Sequence, residues 1–437
     1  MTKTYTKGDY KRLSDRIRKG PEHVSADDYE MLHALRLTYK EPMATVFNTV
    51  ERMAHSIDPD CICTYRIKRF ESIISKLCRF PDMEVQRAAD LAGCRCIMTR
   101  LDQVLELYDR IKKNEHLLPF AIKGKPNNYI ENPKEDGYRS IHLNVQMKDE
   151  SKKVVEIQLR CIEMHNWATL VEISDVIFQA KLKEYGSKVN PDLFRLHQLL
   201  SKKDEDLTTA DYLEIAQISK KYRYMERVGG IFSTNGIEMR QQWNKMKLKN
   251  KRFFLISTGS DGKPEFAAFE NFDEAERNYF EWFTNNEKNS NIVLTRLRHT
   301  DFNKISIAYC NYFLTYNASM LRILKAVAMS TVDIYNRHKL SEFRTAYPLF
   351  WKIVYIWLGD KIKEIDYFNN DKDVRKSFKK RNEWTVSIQN SFRDVNGIIK
   401  TMQSSFNHGW TYFFLQRFKK RVDRAANKRL HEMQSVS

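Results

Sequence analysis

The sequence predicts an α+β fold, and three observations along the chain support this. The hydrophobic spacing is helical over the first sixty residues and changes to short strand-like runs at Cys61. Strand-like and helical runs then alternate as far as Lys183, which is typical of an α/β domain. A smaller strand and helix group follows, and only helical patterns remain from about residue 303. The length of 437 residues allows two to four domains at roughly 100–200 residues each.

Taken in order, these elements divide the chain into four predicted domains. Gly20-Pro21 ends a first basic helix, Ser25 is a candidate N-cap for a second, and Pro42 marks the start of a third. The predicted strands of the central domain are Cys61–Ile67, Cys94–Thr99, Ser140–Gln146 and Val154–Leu159, and its predicted helices are Arg69–Cys78, Leu101–Lys113 and Cys161–Lys183. The turn-rich segment 259–264 between two strand-like runs predicts a hairpin, followed by a helix over 271–285 and a strand over 291–297. The predicted boundaries are 1–59, 60–190, 191–302 and 303–437.

The chain is strongly basic, with a formal charge of +18, which predicts anionic partners. Residues 331–437 alone contain 21 Lys and Arg against 11 Asp and Glu. We find no apolar run of about 18 residues and no secretory signal, so we expect a cytoplasmic protein without a membrane partner. The pairs Cys61/Cys63 and Cys94/Cys96 lack a completed four-ligand spacing, and we expect reduced thiols that pack as small apolar groups.

Four segments carry residues suited to phosphate chemistry. The strand Val154–Arg160 alternates, so Glu156, Gln158 and Arg160 share its polar face. The loop from Asn132 leads into a strand that carries His142, and its Lys134 and Tyr138 could touch a phosphate and stack on a base. Further upstream, four polar groups could converge on one polyphosphate, namely Arg66, Lys68, Ser72 and Lys76. Asp90 precedes another strand, where it could meet Glu156 and hold a hard divalent cation.

These segments together resemble the RelA/SpoT synthetase domain. The matching blocks are R-x-K-x3-S-x3-K from Arg66, D-x-A-G-x-R from Asp90 to Arg95, N-P-K-x-x-G-Y-R-S-I-H from Asn132, and V-E-I-Q-L-R from Val155 followed by Met164-His165. All four occur in the family's order over roughly residues 60 to 185. The resemblance is to small alarmone synthetases, including toxic and phage-defence relatives, with an unrecognised C-terminal region.

The resemblance implies a nucleotidyltransferase-like mixed sheet and a magnesium-dependent pyrophosphokinase of the stringent response. Such an enzyme transfers the β,γ-pyrophosphate of ATP to the ribose 3′-hydroxyl of GDP or GTP and so makes (p)ppGpp. By position, the implied ATP-binding residues are Arg66, Lys68, Ser72, Lys76 and Arg95, and the implied acceptor-binding residues are Lys134, Tyr138, His142, Gln158 and Arg160. Asp90 and Glu156 would be the catalytic and Mg²⁺-binding carboxylates, and Glu156 also the base for the attacking hydroxyl. The family's hydrolase domain requires a His-Asp dipeptide, which this chain lacks, so no alarmone hydrolysis is expected.

Two departures from the family leave the acceptor open. Asp136 stands where many relatives have Asn, and Asn127-Asn128 stand where relatives tend to have Lys-Asp. One alternative is the same transfer to the 3′-CCA end of tRNA, which the basic first helix and basic C-terminal region favour. Another is a non-catalytic nucleotide- or RNA-binding module, which would not need the paired carboxylates. For the region after residue 190 we expect a regulatory or targeting role with a partner or trigger of its own.

Overall fold

The structure is a computed structural model, and it describes most of the chain. The described residues are 5–225, 227–228, 242–243, 245–246, 248–258, 264–285, 292–297, 305, 315–370 and 378–406. They fall into two compact units. The first unit comprises the described parts of Met1–Lys134, Tyr138–His165 and Met246–Tyr309, and the second those of Glu135–Gly137, Asn166–Lys245 and Cys310–Ser437.

Mixed α+β architecture characterises the first unit, as the sequence predicted. Its described residues form a mixed sheet in the order β3-β5-β6-β2-β1-β9-β7-β8, with β4 paired to β5. The strands are β1 (Ile62–Ile67), β2 (Ala92–Met98), β3 (Phe120–Ile122), β4 (Asn127–Asn128), β5 (Ile141–Met147), β6 (Val154–Cys161), β7 (Phe253–Thr258), β8 (Pro264–Phe269) and β9 (Val293–Arg296). The pair β2–β6 is parallel, whereas β1–β2 and β5–β6 are antiparallel.

Helices α1 to α5 lie within the first unit, at α1 (Lys7–Ile17), α2 (Ala26–Leu37), α3 (Lys40–Ile57), α4 (Phe70–Arg79) and α5 (Leu101–Lys113). The predicted N-cap of α2 is confirmed, because the Ser25 side chain accepts a hydrogen bond from the Asp28 backbone N–H in a capping box. Apolar residues of α3 and α5 pack with the sheet in one continuous core, which includes Val46, Val104 and Leu107. The helices therefore cover one face of the sheet and leave the other for polar side chains.

The helix predicted over Cys161–Lys183 is shorter in the structure, where α6 spans Ile162–Phe178. Gln179 and Lys181 adopt positive φ angles of 51° and 48°, a left-handed backbone that no helix can continue through. The sequence carries no Gly or Pro at this break, so its local pattern does not reveal it.

The second unit is helical. Its helices after α6 are α7 (Leu182–Tyr185), α8 (Pro191–Ser201), α9 (Thr209–Lys221), α11 (Thr315–Asn336), α12 (Leu340–Asn370) and α13 (Phe378–Ser404). α11 packs against α9, α12 and α13. Phe350 and Trp357 of α12 are buried whereas Tyr355 is exposed, so the aromatic residues of this helix contribute mainly to the core. The basic segment 417–421, which could contact RNA, lies outside the described residues.

The predicted boundary at residue 190 differs from the structure, because later strands return to the first unit. β7 and β8 form the predicted antiparallel hairpin, and α10 (Phe272–Asn285) and β9 follow as expected. However, β9 pairs with β1 and extends the same sheet instead of starting a separate small domain. The pairing occupies the backbone edge of β1, which would otherwise be exposed.

Side chains of α10 reinforce this junction. The Tyr65 hydroxyl donates to Glu276 at 2.8 Å, and the Ile67 backbone N–H donates to the Tyr279 hydroxyl at 2.9 Å. Strand β1, which carries part of the candidate site, is thus held from both sides. Within the described part of the chain, no helix combines the length and the hydropathy that crossing a bilayer requires.

Candidate active site

One face of the sheet carries polar side chains across strands β1, β2, β6 and β5. Directly paired residues project to the same face, so the register groups them in rows. The first row contains Arg66, Gly93, Glu156 and Asn144, and the second contains Thr64, Arg95, Gln158 and His142. On the opposite face, Tyr65, Cys94 and Ile157 form a row of the buried core. The alternation predicted from the sequence thus places the candidate residues on a single surface.

Asp90 lies immediately before β2 and forms ion pairs with two lysines. Lys68 Nζ lies 2.5 Å from Asp90 Oδ2, and Lys76 Nζ, from α4, lies 2.8 Å from Asp90 Oδ1. Burial raises the pKa of Asp90, but the two lysines lower it to about 2. Burial lowers the pKa of Lys68, and repulsion from Lys76 and Arg66 acts in the same direction. Two lysines therefore share one carboxylate, and Arg66 lies close enough to act on Lys68, which leaves an excess of positive charge for an anionic substrate.

Helix α4 begins one residue later than predicted, with Arg69 as its N-cap residue. Lys76 and Ser72 are four residues apart on this helix and so lie on one face, as the sequence indicated. Ser72 is partly exposed.

Glu156 is the second carboxylate of the surface. His142 Nδ1 lies 3.0 Å from Glu156 Oε1, and Gln158 Nε2 donates to Glu156 Oε2 at 2.7 Å. Burial raises the pKa of Glu156, but its hydrogen bonds and the charge of His142 lower it to about 2. The charge of Asp90 also raises the pKa of Glu156, so the two carboxylates lie close enough to interact. Glu156 is ionised at neutral pH and can attract a cation.

A hydrogen-bonded network connects Glu156 with the loop that precedes β5. Arg160 Nη2 donates to the Tyr138 hydroxyl at 2.6 Å, and this hydroxyl lies 2.7 Å from His142 Nε2. Gln158 Oε1 accepts from Arg160 Nη2 at 3.0 Å and from Arg95 Nε at 3.1 Å. The network orients the His142 ring, because one ring nitrogen faces Tyr138 and the other faces the Glu156 carboxylate.

Tyr138 belongs to a small aromatic cluster on the same surface. Its ring centroid lies 5.8 Å from that of Tyr129 and 5.7 Å from that of His142. Lys134 Nζ lies 4.7 Å from the Tyr129 centroid and 5.1 Å from the Tyr138 centroid. Tyr129, which directly follows Asn127-Asn128, was given no role from the sequence. Tyr129 directly follows β4, a strand of two residues. Two residues are too few to show a periodic pattern in the sequence.

Gly93 occupies the gap between Arg66 and Glu156 in the first row. A Cβ atom at this position would lie 2.9 Å from the backbone oxygen of Glu156, which is closer than real Cβ atoms approach. The absence of a side chain therefore permits the close pairing of β2 with β6. It also keeps the polar surface open between the cation cluster and Glu156.

The chemistry of the two carboxylates fits Mg²⁺. Among the described residues, no group of three or more His, Cys, Asp or Glu side chains surrounds a common point. Mg²⁺ does not require such a cage, because it is usually held by one or two carboxylates together with substrate phosphates and water. Asp90 and Glu156 supply two neighbouring ionised carboxylates beside a group of cations.

The cysteines of the two C-x-C pairs are buried free thiols. Cys63 and Cys96 are directly paired across β1 and β2, and their sulfur atoms lie 3.3 Å apart on the apolar face. This is the packing role that the sequence analysis expected.

The basic first helix offers less free charge than its composition indicated. Arg12 pairs with Asp9, Arg16 with Asp28, and Arg18 with Asp15, each at 2.5 Å. Lys11 and Lys19 are exposed. Three arginines at and next to α1 are therefore already paired with carboxylates.

Comparison with known proteins agrees with the resemblance seen in the motifs. The family model described as "Region found in RelA / SpoT proteins" matches residues 65–181. The chain is 31% identical over 150 residues to GTP pyrophosphokinase YwaC of Bacillus subtilis, covering 31% of this chain and 70% of that protein. It is 29% identical over 152 residues to GTP pyrophosphokinase YjbM of the same organism, covering 33% of this chain and 69% of that protein. The crystal structure of small alarmone synthetase 2 from Bacillus subtilis covers 43% of this chain and 96% of its own, with 24% identity and a TM-score of 0.31.

Proposed function

The chain belongs to the RelA/SpoT family, and on this premise we propose that it transfers the β,γ-pyrophosphate of ATP to the ribose 3′-hydroxyl of GDP or GTP. The product would be (p)ppGpp. The observation that carries the proposal is the pair of ionised carboxylates, Asp90 and Glu156, together with the two lysines that contact Asp90. Phosphoryl transfer depends mainly on alignment and on neutralising charge, and this surface offers groups for both.

We assign the ATP phosphates to the cation cluster of Arg66, Lys68 and Lys76, with Ser72 and Arg95 near it. Asp90 neutralises the two lysines in the absence of substrate. When a triphosphate arrives, its oxygens can replace the Asp90 carboxylate as partners of these lysines. Asp90 is then free to bind a cation together with Glu156.

Mg²⁺ held by Asp90 and Glu156 would neutralise charge on the phosphate oxygens. Glu156 also remains our candidate base for the acceptor hydroxyl. Because its pKa is about 2, it is a weak proton acceptor while His142 and Gln158 donate to it. Its proton affinity would rise if the substrate displaced one of these donors.

We assign the acceptor nucleotide to the aromatic cluster. Tyr138 can stack on the base, and the exposed Lys134 can leave the ring to meet an acceptor phosphate. The network from Arg160 through the Tyr138 hydroxyl to His142 holds the ring in place. Gln158 and Arg160 form the polar floor beneath it.

A transfer assay with ATP labelled in its β,γ-phosphates tests this proposal. The full chain is incubated with Mg²⁺ and with GDP, GTP or deacylated tRNA in separate reactions. We expect label to appear in GDP and GTP as 3′-pyrophosphorylated products and not in tRNA. Transfer to tRNA alone would show that the acceptor is the 3′-CCA end of tRNA. The net charge of +18 favours this alternative.

Two variants separate catalysis from binding. Glu156→Gln keeps the size of the side chain but removes its charge, and we expect at least a hundredfold loss of transfer. Glu150→Gln is the matched control, because Glu150 is exposed in the turn of the same β5–β6 hairpin. If growth inhibition by the wild-type chain persisted in Glu156→Gln, a non-catalytic nucleotide- or RNA-binding role would account for it better than an enzyme.

A further inference from the structure

A second basic site lies in the first unit, on elements that the candidate active site does not use. The end of α3, the turn at Pro59, the start of β7 and strand β9 line an open cavity of about 410 Å³. Its lining includes the cationic side chains of Arg52, His55, Arg252 and Arg296, together with one carboxylate, that of Glu51. The volume falls within the range of small-molecule pockets, roughly 300–1,000 Å³.

The single carboxylate, that of Glu51, already contacts two of these cationic side chains. Glu51 is buried, with a side-chain exposure of 1%, and its Oε2 accepts from Arg296 Nη1 at 2.8 Å. His55 Nε2 lies 2.9 Å from Glu51 Oε1, and His55 Nδ1 lies 3.3 Å from the carbonyl oxygen of Pro59. These distances place the His55 ring against the Glu51 carboxylate, where a positive charge on the ring is favoured.

The titration of His55 agrees with this geometry. Burial lowers the pKa of His55, but its contacts with Cys61 and Glu51 outweigh burial and raise the pKa to about 10. The Glu51 carboxylate can compensate only one of the two charges that it contacts. The Cys61 thiol contacts the same ring, and its hydrogen bonds with Cys63 and His55 lower its pKa to about 7, so the two arginines nearer the surface carry the charge that Glu51 and Cys61 do not balance.

Two further arginines line the rim without a carboxylate. Arg52 is exposed and donates from Nε to the backbone oxygen of Asn48. The backbone of Arg252 is fixed, since its N–H donates to Phe269 and its oxygen accepts from Leu297, both at 2.9 Å. Among the described residues, the Arg252 side chain has neither a hydrogen-bond partner nor an ion-pair partner. Its guanidinium lines the cavity at a position that the sheet determines.

We propose that this cavity is a second anion site that binds the oligophosphate group of a small molecule. Four cations face one carboxylate in a concave space, and guanidinium groups are well suited to bidentate contact with phosphate oxygens. A concave pocket fits a compact ligand better than an extended nucleic-acid backbone, which needs a row of cations along a groove.

The site is separate from the candidate active site, although one strand connects them. Pro59 lies just before β1, whereas Arg66 and Lys68 lie at its other end. The six residues of β1 span roughly 20 Å at about 3.3 Å per residue. A single tripolyphosphate cannot reach both sites.

Titration calorimetry of the full-length chain with inorganic tripolyphosphate tests the proposal. We expect two binding events per wild-type chain. The double variant Arg52→Ala/Arg252→Ala should retain the event at the active site and weaken the other tenfold or more. Lys68→Ala/Lys76→Ala should show the opposite pattern. The control is Arg277→Ala, an exposed arginine of α10 outside the cavity, and it should bind as the wild type does.

The variants leave Arg296 in place, because its loss would leave the buried Glu51 carboxylate with His55 as its remaining ion-pair contact among the described residues. Circular dichroism of each variant checks folding.

Unchanged binding in Arg52→Ala/Arg252→Ala would overturn the proposal, as would loss of all tripolyphosphate binding in Lys68→Ala/Lys76→Ala. If the arginine variant lost affinity for a short RNA but kept its affinity for tripolyphosphate, the site would be a nucleic-acid contact and the small-ligand assignment would be wrong. Binding is measured without turnover, so failure of pyrophosphate transfer would leave this test intact.

Discussion

Replacing His142 by Ala is expected to bring the titration of Glu156 into the pH range of an activity assay. Burial raises the pKa of Glu156, and His142 is the strongest influence that lowers it, to about 2. The difference from the ordinary 4.5 corresponds to about 3 kcal/mol in favour of the ionised form. Without His142 burial dominates, so the pKa should rise above 4.5 and a growing fraction of the carboxylate should be protonated as the pH falls from 7 to 5.

The pH dependence of kcat/KM for pyrophosphate transfer measures this effect. In the wild type, Glu156 stays ionised down to pH 5 and should add no acidic limb to the profile. The variant should lose activity progressively below pH 7, beyond any uniform loss caused by missing contacts. His116→Ala is the control, because His116 is exposed and lies outside the site. A variant profile parallel to that of the wild type would refute the role of His142 in keeping Glu156 ionised.

The free energy of unfolding should depend on pH in the same direction as the activity. Because the folded-state pKa of Glu156 is depressed, its contribution is present above about pH 4.5 and is lost as the pH falls towards 2. His142→Ala removes that contribution, so acid unfolding followed by circular dichroism should begin at a higher pH than in the wild type.

Three further predictions concern the surroundings of the site. Gly93→Ala should lower the free energy of unfolding by about 1–3 kcal/mol and reduce transfer, because the new Cβ lies against the Glu156 backbone; unchanged thermal melting and activity would contradict this. Lys76→Ala should raise the KM for ATP more than it changes the KM for GDP, and equal effects on both would remove the lysine from the ATP subsite. Tyr279→Phe should cost about 1–3 kcal/mol in denaturant unfolding, because the buried Ile67 N–H loses its acceptor, and an unaltered midpoint would show that this bond is replaced.

Local sequence patterns revealed the parts of the fold that repeat over several residues. β1, β2, β5 and β6 have clear alternation, and α5 was predicted with the bounds that the structure has. β3 and β4 contain three and two residues, which is too few for a period. The pairing of β9 with β1 joins segments about 230 residues apart, and no local pattern encodes such a contact.

The candidate site was accessible from the sequence because its chemistry lies on alternating strand positions. Alternation placed Glu156 and Gln158 on one face, and the family motifs connected this strand with Asp90 and the lysines. The ion pairs of Asp90 with both lysines were not foreseen, since a motif names residues but not their partners in the absence of substrate. Gly93 was part of a motif, but its physical reason, the close approach to the Glu156 backbone, requires the strand register.

The extended sheet changes how the role of the C-terminal region can be tested. A chain cut after residue 190 would lose β9 and α10 and would expose the edge of β1, the strand that carries Arg66. It would also remove the Tyr279 hydroxyl that accepts from Ile67. Loss of activity in that truncation would therefore report damage to the site and not the loss of a regulator.

A cut after residue 309 keeps every strand of the sheet and removes the helices α11 to α13. If these helices restrain the synthetase, the shorter chain should transfer pyrophosphate faster than the full chain at saturating ATP and GDP. Equal rates and equal acceptor preference would show that the helices neither inhibit nor direct the enzyme. The second unit loses three of its described helices in this variant, so the melting transition of the first unit must be recorded alongside the rate. Only a rate change without a lower melting temperature for the first unit can be assigned to regulation.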